Sequence, residues 1–298
     1  MGAQPTTMPT ALTEAAPPVS CSACAEWNQP QQPFRVFGNT YYVGTHGLGA
    51  ILVTSPEGHV LIDGALPESA PLIRANIESL GFRMDDVRMI LNSHAHFDHA
   101  GGIAELQRAS GATVAASGPS AAVLEKGTSG ADDPQHGVLL DYAPVKKVRV
   151  LGDGETVRAG SLALTAHLTP GHTHGGTTWS WQSCEGERCL DVVYADSLTA
   201  ISAEGFSFTG SPVLADFERS YPVLERLPCD ILLTPHPGAS RLWERLAARE
   251  GGKADALVDT TACRRYAEGG RKQLQERLGR EAAQRKAASG VKPGQVDD

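Results

Sequence analysis

Four side chains that commonly bind metal ions lie close together at one point of the sequence: His94, His96, Asp98 and His99. They come directly after Val87–Leu91, an apolar run that predicts a buried strand. Proteins that alternate strands and helices place functional sites at the carboxyl ends of strands. In an extended segment His94 and His96 point to the same side and can share one metal, and Asp98 and His99 in the following turn can reach a second. The segment therefore predicts a metal centre at a sheet edge.

Two later histidines lie in similar surroundings. His172 and His236 each follow a predicted strand and lie in a turn rich in glycine and proline, Thr169–Thr173 for the first and Thr234–Gly238 for the second. None of these motifs contains a cysteine. Imidazole and carboxylate ligands without a thiolate are typical of hydrolytic zinc sites.

The remaining sequence predicts an α/β protein made of two similar halves. Short β-rich runs separated by glycine and proline turns precede helical segments in the first half, and the same order returns in the second. A helix over Ile103–Ala109 is expected to end at Gly111, and a long polar helix, Ala262–Ala288, closes the pattern. We predict one domain over residues 34–288, between flexible tails at 1–33 and 289–298.

Charge and hydropathy exclude some functions. The chain has 26 Lys and Arg against 34 Asp and Glu, a formal net charge of −8, which argues against a nucleic-acid-binding protein. No apolar run reaches the length of about 18 residues that spans a membrane. No heptad pattern or apolar stripe indicates an oligomer, so we expect a monomer.

Six cysteines permit three disulfides. Cys184 and Cys189 bracket a short polar loop that a disulfide would close, and a bond between Cys229 and Cys263 would tie down the C-terminal helix. Disulfides indicate an oxidising compartment. Residues 1–20 show neither a basic segment nor an apolar segment of the kind found in signal peptides.

The motif His-x-His-x-Asp-His resembles the signature of the metallo-β-lactamase superfamily, and more narrowly the chain resembles subclass B3 metallo-β-lactamases. The resemblance covers most of the chain from Phe34 onwards. Beyond the motif it rests on Tyr42–Thr45, Leu61–Gly64, Pro170–Thr173, Tyr194–Ala200, Thr234–Pro237 and Ala262–Ala267. It implies a four-layer αβ/βα sandwich with a dinuclear metal site at one edge of the two sheets.

The same resemblance implies two Zn²⁺ ions and assigns their ligands. The implied ligands are His94, His96 and His172 for the first zinc, and Asp98, His99 and His236 for the second. Ser197 stands where the thiolate-using subclasses have a zinc-binding cysteine, which agrees with His99 as the ligand of the second zinc.

The implied activity is hydrolysis of the β-lactam amide bond of penicillins, cephalosporins and carbapenems, which confers antibiotic resistance. A zinc-bound hydroxide attacks the carbonyl without a covalent acyl-enzyme, and Asp98 orients it. The resemblance places Ser197 and Thr199 against the substrate carboxylate and Gln135 in a loop that faces the substrate.

The cysteine pattern of the subclass implies the pairs Cys184–Cys189 and Cys229–Cys263 and a periplasmic enzyme. Some relatives join an N-terminal cysteine to a cysteine at the position that His46 holds here. Cys21 and Cys24 lack that partner, so they pair with each other, stay reduced or bind metal.

Other hydrolases share the metal motif, namely lactonases that cleave acyl-homoserine lactones, glyoxalase II-like thioesterases and RNA-processing nucleases. Many of them bridge both metals with an aspartate, and Asp196 lies next to the corresponding position of this sequence. An Asp196 that bridges the metals would favour a lactonase or thioesterase. A Ser197 that faces the pocket would favour a β-lactamase. The negative net charge disfavours the nuclease. The complete ligand set disfavours a non-catalytic zinc-binding protein.

Overall fold

Two β-sheets form the centre of the molecule in the computed structural model, which describes residues 19–288. The seven strands of the first sheet, in spatial order, are β1 Phe34–Phe37, β2 Thr40–Tyr42, β3 Ile51–Val53, β4 His59–Ile62, β5 Val87–Leu91, β6 Thr113–Ser117 and β7 Arg149–Leu151. The second sheet has the order β12-β11-β10-β9-β8, with β8 Thr156–Ala159, β9 Leu162–Leu168, β10 Thr177–Glu185, β11 Arg188–Tyr194 and β12 Ile231–Leu233.

Eight α-helices belong to the described part of the chain. They are α1 Cys24–Trp27, α2 Ala70–Ser79, α3 Phe97–Ala100, α4 Ile103–Ser110, α5 Gly118–Lys126, α6 Val213–Arg226, α7 Leu242–Glu250 and α8 Ala262–Ala288. As predicted, α4 ends at Gly111, whose φ of 71° is the left-handed conformation that glycine adopts most readily after a helix. Within residues 19–288 no helix combines the length and the apolar character needed to cross a membrane.

Each sheet combines an antiparallel and a parallel part. In the first sheet β1 to β4 form an antiparallel meander, and β4 to β7 run parallel. In the second sheet β8 to β11 are antiparallel, and β12 joins β11 in parallel. The parallel strands β5 and β12 bring the segments that follow them to the sheet edges.

Three hydrophobic cores separate four layers. Leu61 of β4 packs towards the helices of the first half, and the next residue, Ile62, packs between the two sheets, as the alternation of side chains along a strand requires. Trp179 lies fully buried in the core between the sheets. Phe217 of α6 and Ala267 of α8 cover the outer face of the second sheet. The predicted αβ/βα sandwich is therefore confirmed.

The N-terminal part of the described chain corrects one prediction. Residues 19–33 were expected to belong to a flexible tail, but Cys24 is only 4% exposed and belongs to the first core. Trp27 accepts hydrogen bonds through its carbonyl from Thr45 Oγ1 at 2.7 Å and from Gly47 N at 3.1 Å. Composition does not reveal such contacts. Residues 1–18 and the predicted C-terminal tail, 289–298, lie outside the described residues.

All six cysteines form disulfides. The predicted pair Cys184–Cys189 joins opposite positions of the β10–β11 hairpin. The predicted pair Cys229–Cys263 ties the start of α8 to the segment before β12. Cys21 and Cys24 pair with each other, which is one of the three alternatives open from the sequence.

The carboxylate of Glu281 attaches the distal part of α8 to the loop before α6. Its side chain is 6% exposed and accepts hydrogen bonds from the backbone N–H groups of Phe208 and Thr209 and from the hydroxyls of Ser207 and Thr209. Arg277 Nε donates to it at 2.9 Å. Burial alone would raise the pKa of Glu281, but these hydrogen bonds outweigh burial and lower the pKa from 4.5 to about 2.

We expect Glu281→Gln to reduce the free energy of unfolding by about 2–3 kcal/mol at pH 7, because an amide presents a donor to groups that already donate. A carboxyl whose pKa is lower in the folded state stabilises above its unfolded pKa and loses that effect as pH falls through the folded pKa. The difference between variant and parent should therefore shrink from about pH 5 towards pH 2. Urea unfolding across this pH range measures it.

Glu276→Gln is the matched control, since Glu276 lies on the same helix with a 55% exposed side chain, 3.9 Å from Lys272. We expect its effect to stay within about 0.5 kcal/mol at every pH. An equal loss for both variants, or a loss for Glu281→Gln that does not change with pH, would contradict the assigned role of Glu281.

Candidate metal centre

The chain after β5 places four of the predicted ligands within six consecutive residues. His94 and His96 lie in the extended segment before α3, and Asp98 and His99 lie in α3 itself. All four are buried, with exposures of 0%, 2%, 6% and 0% in that order. Because α3 begins immediately after His96, its first turn directs Asp98 and His99 to the same place as the two preceding histidines.

His172 completes a first group of ligands. The ligating atoms of His94, His96 and His172 all lie within 4.8 Å of one another. His172 reaches the group from the turn after β9, at the edge of the second sheet. The three rings therefore meet at the edge where the two sheets face each other, as predicted.

The second group gathers around Asp98. Asp98 Oδ2 lies 3.2 Å from His99 Nε2 and 3.3 Å from His236 Nε2, and the two ring nitrogens are 3.2 Å apart. His236 comes from the turn after β12 and is the most exposed side chain of this group, with 36% exposed. His94, Asp98 and His99 also have ligating atoms within 4.8 Å of one another, so the two groups adjoin.

Hydrogen bonds fix the orientation of the first three rings. His94 Nδ1 lies 2.7 Å from Asp196 Oδ1, His172 Nδ1 donates to the carbonyl of Thr199 at 2.9 Å, and His96 Nε2 lies 2.9 Å from Asp133 Oδ2. Each ring thus engages one nitrogen and keeps the other for the centre. His94 Nε2 and His99 Nδ1 are buried and have no hydrogen-bond partner.

The electrostatics of the site suit metal ligation. Burial and the neighbouring His99 lower the pKa of His94 well below its ordinary value, and burial lowers the pKa of His172 to about 3. Both rings are therefore neutral at neutral pH and have a lone pair to offer. Burial opposes the charge of Asp98, but His99 and His236 outweigh burial and hold the pKa of Asp98 well below its ordinary value. The neutral rings of His94 and His172 and the carboxylate of Asp98, together with the unpartnered buried nitrogens, fit metal ions.

The carboxylate of Asp63 supports the ligand turn from beneath. Asp63 is fully buried and accepts hydrogen bonds from Ser93 N at 2.7 Å, Ser93 Oγ at 2.6 Å, Asn92 Nδ2 at 3.1 Å and Tyr194 OH at 2.9 Å. Its φ of 63° is in the left-handed region, which aspartate and asparagine tolerate better than most residues. Sequence reasoning placed Asp63 in a family motif but gave it no role.

The structure places two of the three predicted substrate-contact residues next to the first group. Gln135 Nε2 lies 3.5 Å from His172 Nε2, and Thr199 Oγ1 lies 3.1 Å from His172 Nδ1. Ser197 is 6% exposed and directly follows Asp196.

Sequence reasoning missed two residues at the site. The ring of Trp27 lies 5.2 Å from that of His236, and Asp133 holds His96. A tryptophan in an otherwise polar segment is unusual for a disordered tail, and this was the available signal for Trp27. The contact of Asp133 depends on loop shape, for which the sequence has no signal.

Comparison with known proteins agrees with the fold. The family model for the metallo-beta-lactamase superfamily matches residues 49–258. The solved structure of the Rm3 metallo-beta-lactamase is 56% identical and superposes with a TM-score of 0.87, over 89% of this chain and 100% of that one. MEM-A1, a subclass B3 metallo-beta-lactamase from a soil metagenome library, is 51% identical with a TM-score of 0.84, over 87% of this chain and 99% of that one.

Curated relatives with matching sequence are hydroxyacylglutathione hydrolases. The enzyme of a Jannaschia species is 30% identical over 163 residues, which is 55% of this chain and 51% of that protein. The chain thus matches about half of the length of this relative, and 29% and 40% of two others.

We expect Asp63→Asn to reduce the free energy of unfolding by about 2–3 kcal/mol, because the amide N–H₂ would face groups that already donate to Asp63. Asparagine tolerates the backbone conformation, so the substitution changes only the side-chain chemistry. Urea unfolding of metal-free protein measures the loss. The control Asp85→Asn alters a 68% exposed carboxylate paired with Arg83, with an expected effect below about 0.5 kcal/mol. Equal effects of the two substitutions would contradict the role of Asp63.

Proposed function

This chain belongs to the metallo-β-lactamase superfamily, and we propose that it hydrolyses the β-lactam amide bond with two zinc ions, as a subclass B3 enzyme. The observation that carries the proposal is the convergence of six potential metal ligands from three separate segments, in a fold shared with β-lactamases at 56% and 51% identity. Hydrolysis of penicillins, cephalosporins and carbapenems would confer antibiotic resistance.

Two separate ligand sets support two metal ions. His94, His96 and His172 would hold the first zinc, and Asp98, His99 and His236 the second. Zinc bound there supplies a Lewis acid for the substrate carbonyl and lowers the pKa of water towards about 7. The all-imidazole and mixed imidazole–carboxylate sets both suit zinc.

Asp98 is the proposed catalytic residue. Its low pKa keeps it ionised at neutral pH, so it can only accept hydrogen bonds. The carboxylate lies between His99 and His236 in the ligand cluster, with a side chain only 9% exposed. In this position Asp98 accepts a hydrogen bond from the attacking water and orients it towards the substrate carbonyl.

Two of the proposed substrate-contact residues, Gln135 and Thr199, lie near different ring nitrogens of His172. Gln135 presents its side-chain amide at the rim of the first group, and Thr199 contacts His172 from behind. We propose that Gln135 donates to the substrate and that the hydroxyls of Ser197 and Thr199 bind its carboxylate. Together they align the amide bond with the water that Asp98 orients.

The position of Asp196 argues for a β-lactamase rather than a lactonase or thioesterase. Its Oδ1 contacts His94 Nδ1, so the carboxylate lies behind the ring, on the side opposite the unpartnered Nε2. A carboxylate that bridges two metals has to lie among the ligating atoms instead. Asp196 therefore acts on His94 and not as a bridging ligand.

Location and assembly follow from less specific features. Three disulfides support an oxidising compartment, and we propose the periplasm. Among residues 19–288 the large apolar side chains that are exposed are Val138, Val150 and Ile201. Such a small exposed apolar set supports a monomer that does not bind a membrane. The net charge of −8 supports small-molecule substrates rather than nucleic acid.

The zinc-loaded protein should hydrolyse a carbapenem and a chromogenic cephalosporin. Exhaustive chelation should abolish turnover and added zinc should restore it, because the proposed mechanism has no covalent nucleophile to fall back on. Absorbance assays follow the β-lactams, and an acyl-homoserine lactone and a glutathione thioester are run alongside. Turnover of the lactone or thioester without β-lactam turnover would contradict the proposal, as would β-lactam turnover that survives metal removal.

Asp98→Asn should lower kcat for the same cephalosporin by about 10²–10⁴-fold, since the amide orients water less well and weakens the second metal site. Steady-state kinetics at saturating zinc measure the loss. Asp141→Asn changes an exposed carboxylate of the loop before β7 and should leave kcat within about twofold. A similar kcat for both variants would show that Asp98 takes no part in the chemistry.

A further inference from the structure

The three rings of the first metal group are oriented from two different parts of the fold. Asp196 and Thr199, which hold His94 and His172, both follow β11 in the second sheet. Asp133, which holds His96, lies instead in the long loop 127–148 between α5 and β7. One ligand of the first metal is therefore oriented by a surface loop rather than by a sheet.

Asp133 uses both of its carboxylate oxygens. Oδ2 lies 2.9 Å from His96 Nε2, and Oδ1 accepts the backbone N–H of Gln135 at 2.8 Å. The Asp133 side chain is only 11% exposed, and that of His96 only 3%. Asp133 is thus a buried carboxylate that joins a metal ligand to its own loop.

We propose that Asp133 is a positioning residue that fixes the tautomer and ring orientation of His96 and couples the order of the loop to metal binding. The proposal rests on His96 as a ligand of the first metal, as given under the proposed function. A carboxylate that accepts from Nε2 keeps the proton on that nitrogen, which leaves the lone pair on Nδ1. His96 then offers Nδ1 to the metal, whereas His94 and His172, bonded through Nδ1, offer Nε2.

The coupling extends to the predicted substrate contact. Gln135 takes its backbone position from Asp133 Oδ1, and its side-chain amide lies 3.5 Å from His172 Nε2. The carbonyl of Asp133 also accepts the N–H of His136 at 2.9 Å. A metal ion that holds His96 in place therefore also favours the loop conformation that presents Gln135, and by thermodynamic reciprocity an ordered loop favours metal binding.

The neighbouring Asp132 provides a matched control. It has the same charge and the same loop, but its side chain is 74% exposed and its nearest ion-pair partner is His174 at 3.9 Å. The substitutions Asp133→Ala and Asp133→Asn are compared with Asp132→Ala and Asp132→Asn. Unfolding curves of the metal-free forms identify any variant that does not fold. Asp133→Asn is the milder substitution, because its amide oxygen can still accept the proton of His96 Nε2.

The first measurement is zinc affinity by competition with a chromophoric chelator. We expect Asp133→Ala to lower the affinity for the first zinc ion by about 10–100-fold and Asp133→Asn to lower it less. The affinity of both Asp132 variants should stay within about twofold of that of the parent. Equal zinc affinity for folded Asp133 variants and the parent would overturn the proposal. Equal weakening by the Asp132 and Asp133 variants would also overturn it, because that result reflects loop charge alone.

The second measurement is amide hydrogen exchange in the loop, with and without zinc. In the parent and in Asp132→Asn, zinc should slow exchange over residues 130–137, and in Asp133→Ala this protection should disappear. Protection that persists in Asp133→Ala would overturn the coupling. Neither measurement uses β-lactam turnover, so the two failures can be told apart. If the parent protein binds no zinc, the proposed function is refuted. If the parent binds zinc and the Asp133 variants bind it equally well, only this inference is refuted.

Discussion

The buried carboxylate of Asp63 joins the two sheets directly beneath the metal centre, and the geometry of the site depends on it. It accepts from Ser93 and Asn92, which follow β5 of the first sheet, and from Tyr194, the last residue of β11 in the second. The chain leaves β5 in a sharp turn instead of continuing as a strand, since Asp63 satisfies the polar groups that this turn buries. His94 and His96 are placed by that turn. The sandwich and the metal centre are therefore parts of one hydrogen-bonded unit.

The ligands differ in the part of the fold that orients them. His94 and His172 are oriented from the second sheet, and His96 from a loop. His236, with 36% of its side chain exposed, packs against Trp27 of the N-terminal segment. The buried side of the centre thus has rings oriented from the sheet, and its open side is bordered by the loop of Asp133 and the segment of Trp27.

Much of the fold and the ligand set was predictable, for physical reasons that particular residues show. The spacing of His94, His96, Asp98 and His99 after an apolar strand fixes where these side chains project, so a local pattern was sufficient. Their places beside a short loop and a terminal helix permitted the pairs Cys184–Cys189 and Cys229–Cys263, and the resemblance to subclass B3 enzymes implied them. Residues whose roles depend on contacts between distant segments were not predictable. Asp133 reaches His96 across 37 positions of sequence, and Trp27 reaches His236 only because the Cys21–Cys24 segment packs onto the domain.

The most direct test of the account is a diffraction experiment on crystals of the zinc-loaded protein, with data collected on both sides of the zinc absorption edge. The proposed dinuclear site predicts two anomalous peaks, one among His94, His96 and His172 and the other among Asp98, His99 and His236. It also predicts that the first ion contacts Nδ1 of His96 and Nε2 of the other two rings. A single zinc ion, or an ion bridged by Asp196, would contradict the dinuclear site from which the proposed activity is derived.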